Sequence, residues 1–106
     1  ALKGNTVIGL YGVSKAADAA LVRNYACEWG PSNIRVNAIL PGLIKTDFAR
    51  ALWENDKARR AREAITPLRR LGEAEEIGGI AVFLASRAAT FITGQTIIAD
   101  GGVTIA

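Results

Sequence analysis

Residues 34–40 read IRVNAIL and run straight into PGLIKTD, residues 41–47. Five of the first seven are apolar and three are β-branched. With Pro31-Ser32-Asn33 before and Pro41-Gly42 after, Ile34 to Leu40 is expected to be a buried strand closed by a turn. Upstream, Val13, Ala16, Ala17, Ala20, Leu21 and Ala26 recur at three- and four-residue steps, which predicts a helix from about Tyr11 to Trp29 with a small-residue face, stopped by Gly30-Pro31. Downstream, a charged amphipathic stretch from Phe48 to Ile65 carries Phe48, Leu52 and Trp53 on one side and ends at Thr66-Pro67. GEAEEIGGIAVFLAS follows, a helix whose first turn is crowded by Glu73, Glu75 and Glu76, as the positive end of a helix dipole favours. Gly78 and Gly79 inside it cost about 1 kcal/mol each against alanine, so close packing on a sheet is expected to offset them. QTIIA, Gln95 to Ala99, is the last strand, and Asp100-Gly101-Gly102 is the turn after it.

Helix, strand, helices, strand is the order of an α/β parallel sheet with right-handed crossovers. Two strands alone leave bare edges, so the sequence reads as part of a doubly wound sheet, incomplete in this chain. At 106 residues, half of them apolar, the length fits one domain and not two. The single Cys27 forms no internal disulfide, and without histidine or a second cysteine the chain holds no zinc site of the usual kind and no Ser-His-Asp or Cys-His hydrolase. No metal site is expected. The net charge of +3 comes from Arg59, Arg60, Arg62, Arg69 and Arg70, interleaved with Glu54, Asp56 and Glu63. Mixed signs at helical spacing mark a solvated face more readily than a nucleic-acid surface, so no nucleic-acid partner is expected, and a basic binding module stays a remote alternative. No charged leader precedes an apolar run and no uninterrupted apolar stretch approaches 18 residues, so neither a signal peptide, a membrane span nor a membrane partner is expected, and cytoplasmic location is the default.

Residues 11–15 read YGVSK. Positions i and i+4 of a helix share a face, so Tyr11 and Lys15 can address one pocket. A tyrosine that exchanges protons near neutral pH needs its pKa lowered from about 10 to about 7–8, roughly 3–4 kcal/mol. A unit positive charge about 4 Å away supplies roughly 4 kcal/mol at an effective dielectric of about 20, so one lysine suffices in magnitude. Taken alone, the pair is a weak motif that reads far more readily as a surface tyrosine with a solvated lysine.

YGVSK, NIRVNAILPGLIKT, RRLGEAEEIGGIAVFLAS and ITGQTIIADGG together, in this order and spacing from Tyr11 to Gly102, resemble the C-terminal half of a short-chain dehydrogenase/reductase of the carbonyl-reductase-like kind. The resemblance implies the C-terminal portion of a Rossmann-like doubly wound sheet and an enzyme that uses NAD or NADP to interconvert a small-molecule carbonyl and a secondary alcohol. It makes Tyr11 the general acid/base, and gives Lys15 the role of holding the cofactor ribose while lowering the tyrosine pKa. It also makes Pro41 and Gly42 the wall at the nicotinamide, with Ile44 (backbone) and Thr46 (hydroxyl) as the carboxamide contacts. Pro41-Gly42 is in any case a strand-ending turn, and Thr46 reads also as a helix N-cap. Phe48, Leu52 and Trp53 fall in the family's lid over the substrate, where they either line a pocket or simply pack a helix.

The resemblance also says what these 106 residues do not supply: the glycine-rich phosphate turn with its ribose selector, which chooses NAD or NADP, a serine about a dozen residues before Tyr11, and an upstream asparagine. Ala74 stands where the family has a proline that starts the helix. Residues 1–106 are therefore read as the catalytic half of a domain whose dinucleotide-binding half is absent, and the isolated chain is expected to be inactive. A homo-oligomer is expected, through the alanine-rich helix and the last strand. The alternative from another class is a non-catalytic truncated fragment that persists by oligomerising.

Overall fold

The computed structural model describes the backbone of residues 9–106 and the side chains of 13–106. In order along the chain come α1 (Gly9–Trp29), β1 (Ala38–Pro41), α2 (Arg50–Glu54), α3 (Asp56–Ile65), α4 (Ala74–Ala85) and β2 (Thr96–Ala99), with short 3-10 turns at Gly30–Ser32, Arg87–Ala89 and Val103–Ile105. β1 and β2 are hydrogen-bonded neighbours. Ala38 N–H donates to Gln95 O and Gly42 N–H to Ala99 O, so the register advances in the same direction on both strands and the pair is parallel. By internal contacts the chain divides into one unit of residues 1–38 and 84–97 and another of 39–83 and 98–106.

In the first unit, α1 runs 21 residues and stops where the sequence predicts. Pro31 opens a 3-10 turn and Asn33 follows in the left-handed region at φ 60°, its N–H bonded to Gly30 O at 2.8 Å. Tyr25 and Trp29, one turn apart, stack with centroids 4.4 Å apart. Ala26 is buried, and Gly94, at φ 72°, leaves room for it: a Cβ there would sit 3.3 Å from the Ala26 methyl.

The strand expected over Ile34 to Leu40 begins only at Ala38, is half-buried rather than buried, and runs on through Pro41. Residues before Ala38 bond to the 92–95 loop largely through side chains. Val36 N–H goes to Thr93 Oγ1 at 3.0 Å, Asn37 Nδ2 donates to Ile92 O at 3.0 Å, and Asn37 Oδ1 accepts from Gln95 N–H at 3.0 Å. Asn37 thus replaces a ladder step with its own amide.

In the second unit the stretch from Phe48 to Ile65 is two helices, not one amphipathic run. Asn55 leaves the helical region at ψ 112° and its Oδ1 accepts from Ala58 N–H at 2.9 Å, so it ends α2 and caps α3. The break separates the expected apolar side: Phe48 and Leu52 face solvent, whereas Trp53 is half-buried. Thr66, nearly fully buried, ends α3 by donating its hydroxyl to Arg62 O at 2.7 Å. α4 spans the predicted helix, but the sheet packing expected at Gly78 and Gly79 is not found: among the described residues nothing lies within 4 Å of where their Cβ atoms would be.

Candidate functional site

The first unit carries the Tyr-x-x-x-Lys pair. α1 is unbroken from Gly9 to Trp29, so positions 11 and 15 fall one turn apart on one helix face. The Tyr11 side chain lies outside the described residues. The Lys15 ammonium lies 3.6 Å from the Asp18 carboxylate, an exposed i,i+3 pair of the kind that contributes little to stability.

The second unit carries Pro41, Gly42, Ile44 and Thr46, at the end of β1 and in the loop after it. Gly42 is a glycine for a steric reason: a Cβ there would stand 2.8 Å from Asp100 Cα and 2.9 Å from Asp100 Cβ. Asp100 is fixed in turn by its carboxylate, which accepts from Gly102 N–H (2.8 Å), Thr104 N–H (2.8 Å) and the Thr104 hydroxyl (2.5 Å). The Thr104 hydroxyl above all, helped by those amides and opposed by burial, holds the Asp100 carboxyl below its usual range. Beyond Gly42, Ile44 forms an isolated parallel bridge with Gly72. Its bonds come from the flanking residues: Gly72 N–H donates to Leu43 O at 3.1 Å, and Lys45 N–H to Gly72 O at 3.0 Å. Ile44's own N–H and C=O point away from that bridge and have no hydrogen-bond partner among the described residues.

Thr46 sits in a tight turn. Ala49 N–H is shared between Thr46 O (3.1 Å) and Thr46 Oγ1 (3.3 Å), so Thr46 caps a turn ahead of α2 and is not the N-cap of the helix: that position is Ala49, which makes no side-chain cap. Thr46 O also accepts from the Trp53 indole N–H at 2.8 Å.

A cavity of about 240 Å³ in this unit is lined by Gly42, Leu43, Ile44, Thr66, Leu71 and Asp100 among others. Arg62 also lines it, with a buried Nε that has no hydrogen-bond partner among the described residues. At its rim Arg70 grips Glu76 with two bonds of 2.7 and 2.9 Å. That guanidinium, with the Glu73 N–H second, holds the Glu76 carboxyl down to about 2. Of the mid-chain arginines, Arg59 likewise pairs with Asp56 and Glu63. No helix among the described residues is long and apolar enough to cross a membrane.

Sequence reasoning missed three groups here. Asp100 had a readable signal, an acidic residue before two glycines, but only as a turn. The Trp53–Thr46 bond and the Arg70–Glu76 fork span irregular backbone, where no period gives the partner.

The family model for enoyl-(acyl carrier protein) reductase matches residues 1–104. A tropinone reductase homolog of Arabidopsis thaliana is 44% identical over 101 residues, 95% of this chain and 38% of that protein. Dehydrogenase/reductase SDR family member 4 of Bos taurus is 44% identical over 95 residues, 90% of this chain and 34% of that protein. Among solved structures, a short-chain type dehydrogenase/reductase from Mycobacterium ulcerans superposes with a TM-score of 0.92 at 42% identity, covering 98% of this chain and 38% of that one. A gluconate 5-dehydrogenase from Burkholderia cenocepacia in complex with NADP and tartrate gives 0.91 at 34% identity, over 98% and 41%. A 4-hydroxyisoleucine dehydrogenase complexed with NADH gives 0.87 at 34% identity, over 91% and 40%. The chain thus spans well under half the length of the relatives it matches. Matched by that family model almost from end to end, and carrying the two-stranded parallel portion of their Rossmann sheet, it belongs to the short-chain dehydrogenase/reductase family.

Proposed function

We propose that residues 1–106 form the C-terminal catalytic half of a short-chain dehydrogenase/reductase domain, and that the intact enzyme interconverts a small-molecule carbonyl and a secondary alcohol with NAD or NADP. The observation that carries this reading is Ile44. Its bridge to Gly72 leaves one N–H and one C=O on the same residue without partners among the described residues, and a carboxamide offers the complementary acceptor and donor. The residues present therefore fit a nicotinamide, which when bound supplies or accepts the hydride.

The chain's own residues do the rest. Ile44 holds the carboxamide through its backbone. Thr46, whose Oγ1 already accepts from Ala49 N–H, keeps its hydroxyl proton for donation to the same group. Pro41 and Gly42 keep that wall flat, Gly42 because Asp100 leaves no room for a side chain. Lys15 holds the ribose hydroxyls and favours the tyrosinate. Tyr11 gives a proton to the carbonyl oxygen in reduction and takes it back from the hydroxyl in oxidation. Neighbours bind NADH in one structure and NADP in another, so both belong to the test, and the working form is a homo-oligomer.

The test is a titration of the intact enzyme with both cofactors, followed through NAD(P)H absorbance on a panel of ketones and secondary alcohols. Lys15→Met should weaken cofactor binding and slow turnover, and Lys15→Arg should restore the charge without restoring the ribose contacts. Unchanged cofactor affinity in Lys15→Met would remove Lys15 from its role. The 106-residue chain by itself should show no dehydrogenase activity and no saturation at millimolar NAD or NADP, because a helix N-terminus at a glycine-rich turn is what anchors the pyrophosphate.

A further inference from the structure

We infer that Trp53 is a positioning residue for the nicotinamide wall, acting through the carbonyl of Thr46. The inference rests on the reading of Thr46 as a carboxamide contact and goes beyond it to what holds Thr46 in place.

Within its turn Thr46 is bonded only by Ala49 among the described residues. Its carbonyl and hydroxyl both accept from Ala49 N–H, three residues on, and at 3.3 Å the hydroxyl contact is the longer of the two. The one hydrogen bond that reaches Thr46 from beyond that turn, among the described residues, is the Trp53 indole N–H to Thr46 O at 2.8 Å. Trp53 suits the task because its ring nitrogen is a donor only and the ring has no competing acceptor. The ring is itself held. The Arg50 guanidinium lies 5.9 Å from its centroid, and Arg50 is anchored by Asp47 at 2.5 Å and Glu54 at 3.6 Å. On the backbone side, Arg59 donates to Trp53 O at 3.4 Å while pairing with Asp56 at 3.0 Å. Trp53 is thus held at two points, its ring by Arg50 within α2 and its carbonyl by Arg59 of α3, and its N–H carries that constraint to residue 46. Phe48 and Leu52, the other apolar residues of the segment, face solvent and make no such link. A supporting group that fixes the backbone from which a binding group projects acts on affinity before it acts on chemistry.

The experiment is steady-state kinetics and cofactor titration of Trp53→Phe, Thr46→Val and the double variant in the intact enzyme. Trp53→Phe should raise the cofactor KM and Kd by about 3- to 10-fold, the range of one net hydrogen bond. kcat at saturating cofactor should stay within about twofold of wild type, because Tyr11 and the reacting atoms are untouched. Thr46→Val should weaken binding at least as much, and the double variant should bind no worse than Thr46→Val: valine keeps the carbonyl that Trp53 bonds but lacks the hydroxyl that this bond serves to position. If Trp53→Phe does not fold, benzothienylalanine at position 53 keeps the bicyclic ring, replaces N–H with sulfur, and should give the same affinity loss. Normal cofactor affinity in the N–H-less protein, alongside a weakened Thr46→Val, overturns the role of Trp53 and leaves the functional reading standing. Normal affinity in Thr46→Val overturns the carboxamide contact itself, and the inference with it. A fall in kcat with unchanged cofactor KM in Trp53→Phe also overturns it.

Discussion

Lys15 stands on one uninterrupted 21-residue helix, whereas the stretch from Gly42 to Thr46 has almost no regular structure of its own. The helix needs nothing distant: the i,i+4 register places positions 11 and 15 on one face as soon as α1 forms. The loop is held by residues outside it, two of them far along the chain: Gly42 lies against Asp100 and Ile44 bridges Gly72, while Thr46 is bonded by Trp53, seven residues on. The proposed proton-transfer pair is thus encoded locally and the proposed cofactor wall largely non-locally. A change at the pair should alter chemistry and leave the fold intact, and a change at the wall should alter stability and binding together.

The largest effect tests the local side. Tyr11→Phe removes the hydroxyl and keeps the ring, so it should cost turnover about 10²–10⁴-fold, the usual share of a general acid/base. Circular dichroism and the melting temperature should match wild type. A variant that kept more than a few per cent of the rate would take Tyr11 out of the mechanism, and one that lost its fold would show that the pair is not locally encoded.

The non-local side is tested by two glycines that the sequence presents as equals. At Gly42 a methyl would stand 2.8 Å from the Asp100 backbone, so Gly42→Ala should lower stability by about 1–3 kcal/mol and weaken cofactor binding. At Gly79 a methyl would meet nothing among the described residues, so Gly79→Ala should raise stability by up to about 1 kcal/mol through helix propensity alone. Urea denaturation of both variants separates them. The same sign for both would mean that the Asp100 contact does not decide residue 42, or that another surface covers α4.

Legibility follows the same division. α1, α4 and β2 fall where period and punctuation put them, because helix stops at Gly30-Pro31 and turn residues at Asp100-Gly101 act within a few positions. β1 starts later than the apolar run suggests because Asn37, inside that run, uses its amide to bind Ile92 and Gln95. The split at Asn55 is not legible in an amphipathic pattern, which shows charges and apolar residues but not a side chain that caps. Within the candidate site, residue types could be read and their supports could not: nothing in PGLIKTD names Asp100, Gly72 or Trp53.

The smallest effect sits at the rim of the cavity in the second unit. Arg70 holds the Glu76 carboxyl from an ordinary 4.5 down to about 2, with help from the Glu73 amide. Folding therefore lowers this pKa, so the ionised carboxylate stabilises the fold above about pH 4.5, and that contribution is lost as pH falls toward 2. Both side chains are about half exposed (52% and 47%), so water screens the pair and the effect should be modest. Asp100 shifts the same way, mainly through the Thr104 hydroxyl, so the wild-type acid limb is a composite. Glu76→Gln isolates one part of it. The variant should melt below wild type at neutral pH, and the gap should narrow between pH 4.5 and 2, because a protonated glutamic acid resembles the glutamine that replaces it. A gap that stayed constant across that window, in melting curves taken at fixed ionic strength, would mean that the Arg70 fork contributes shape and not charge.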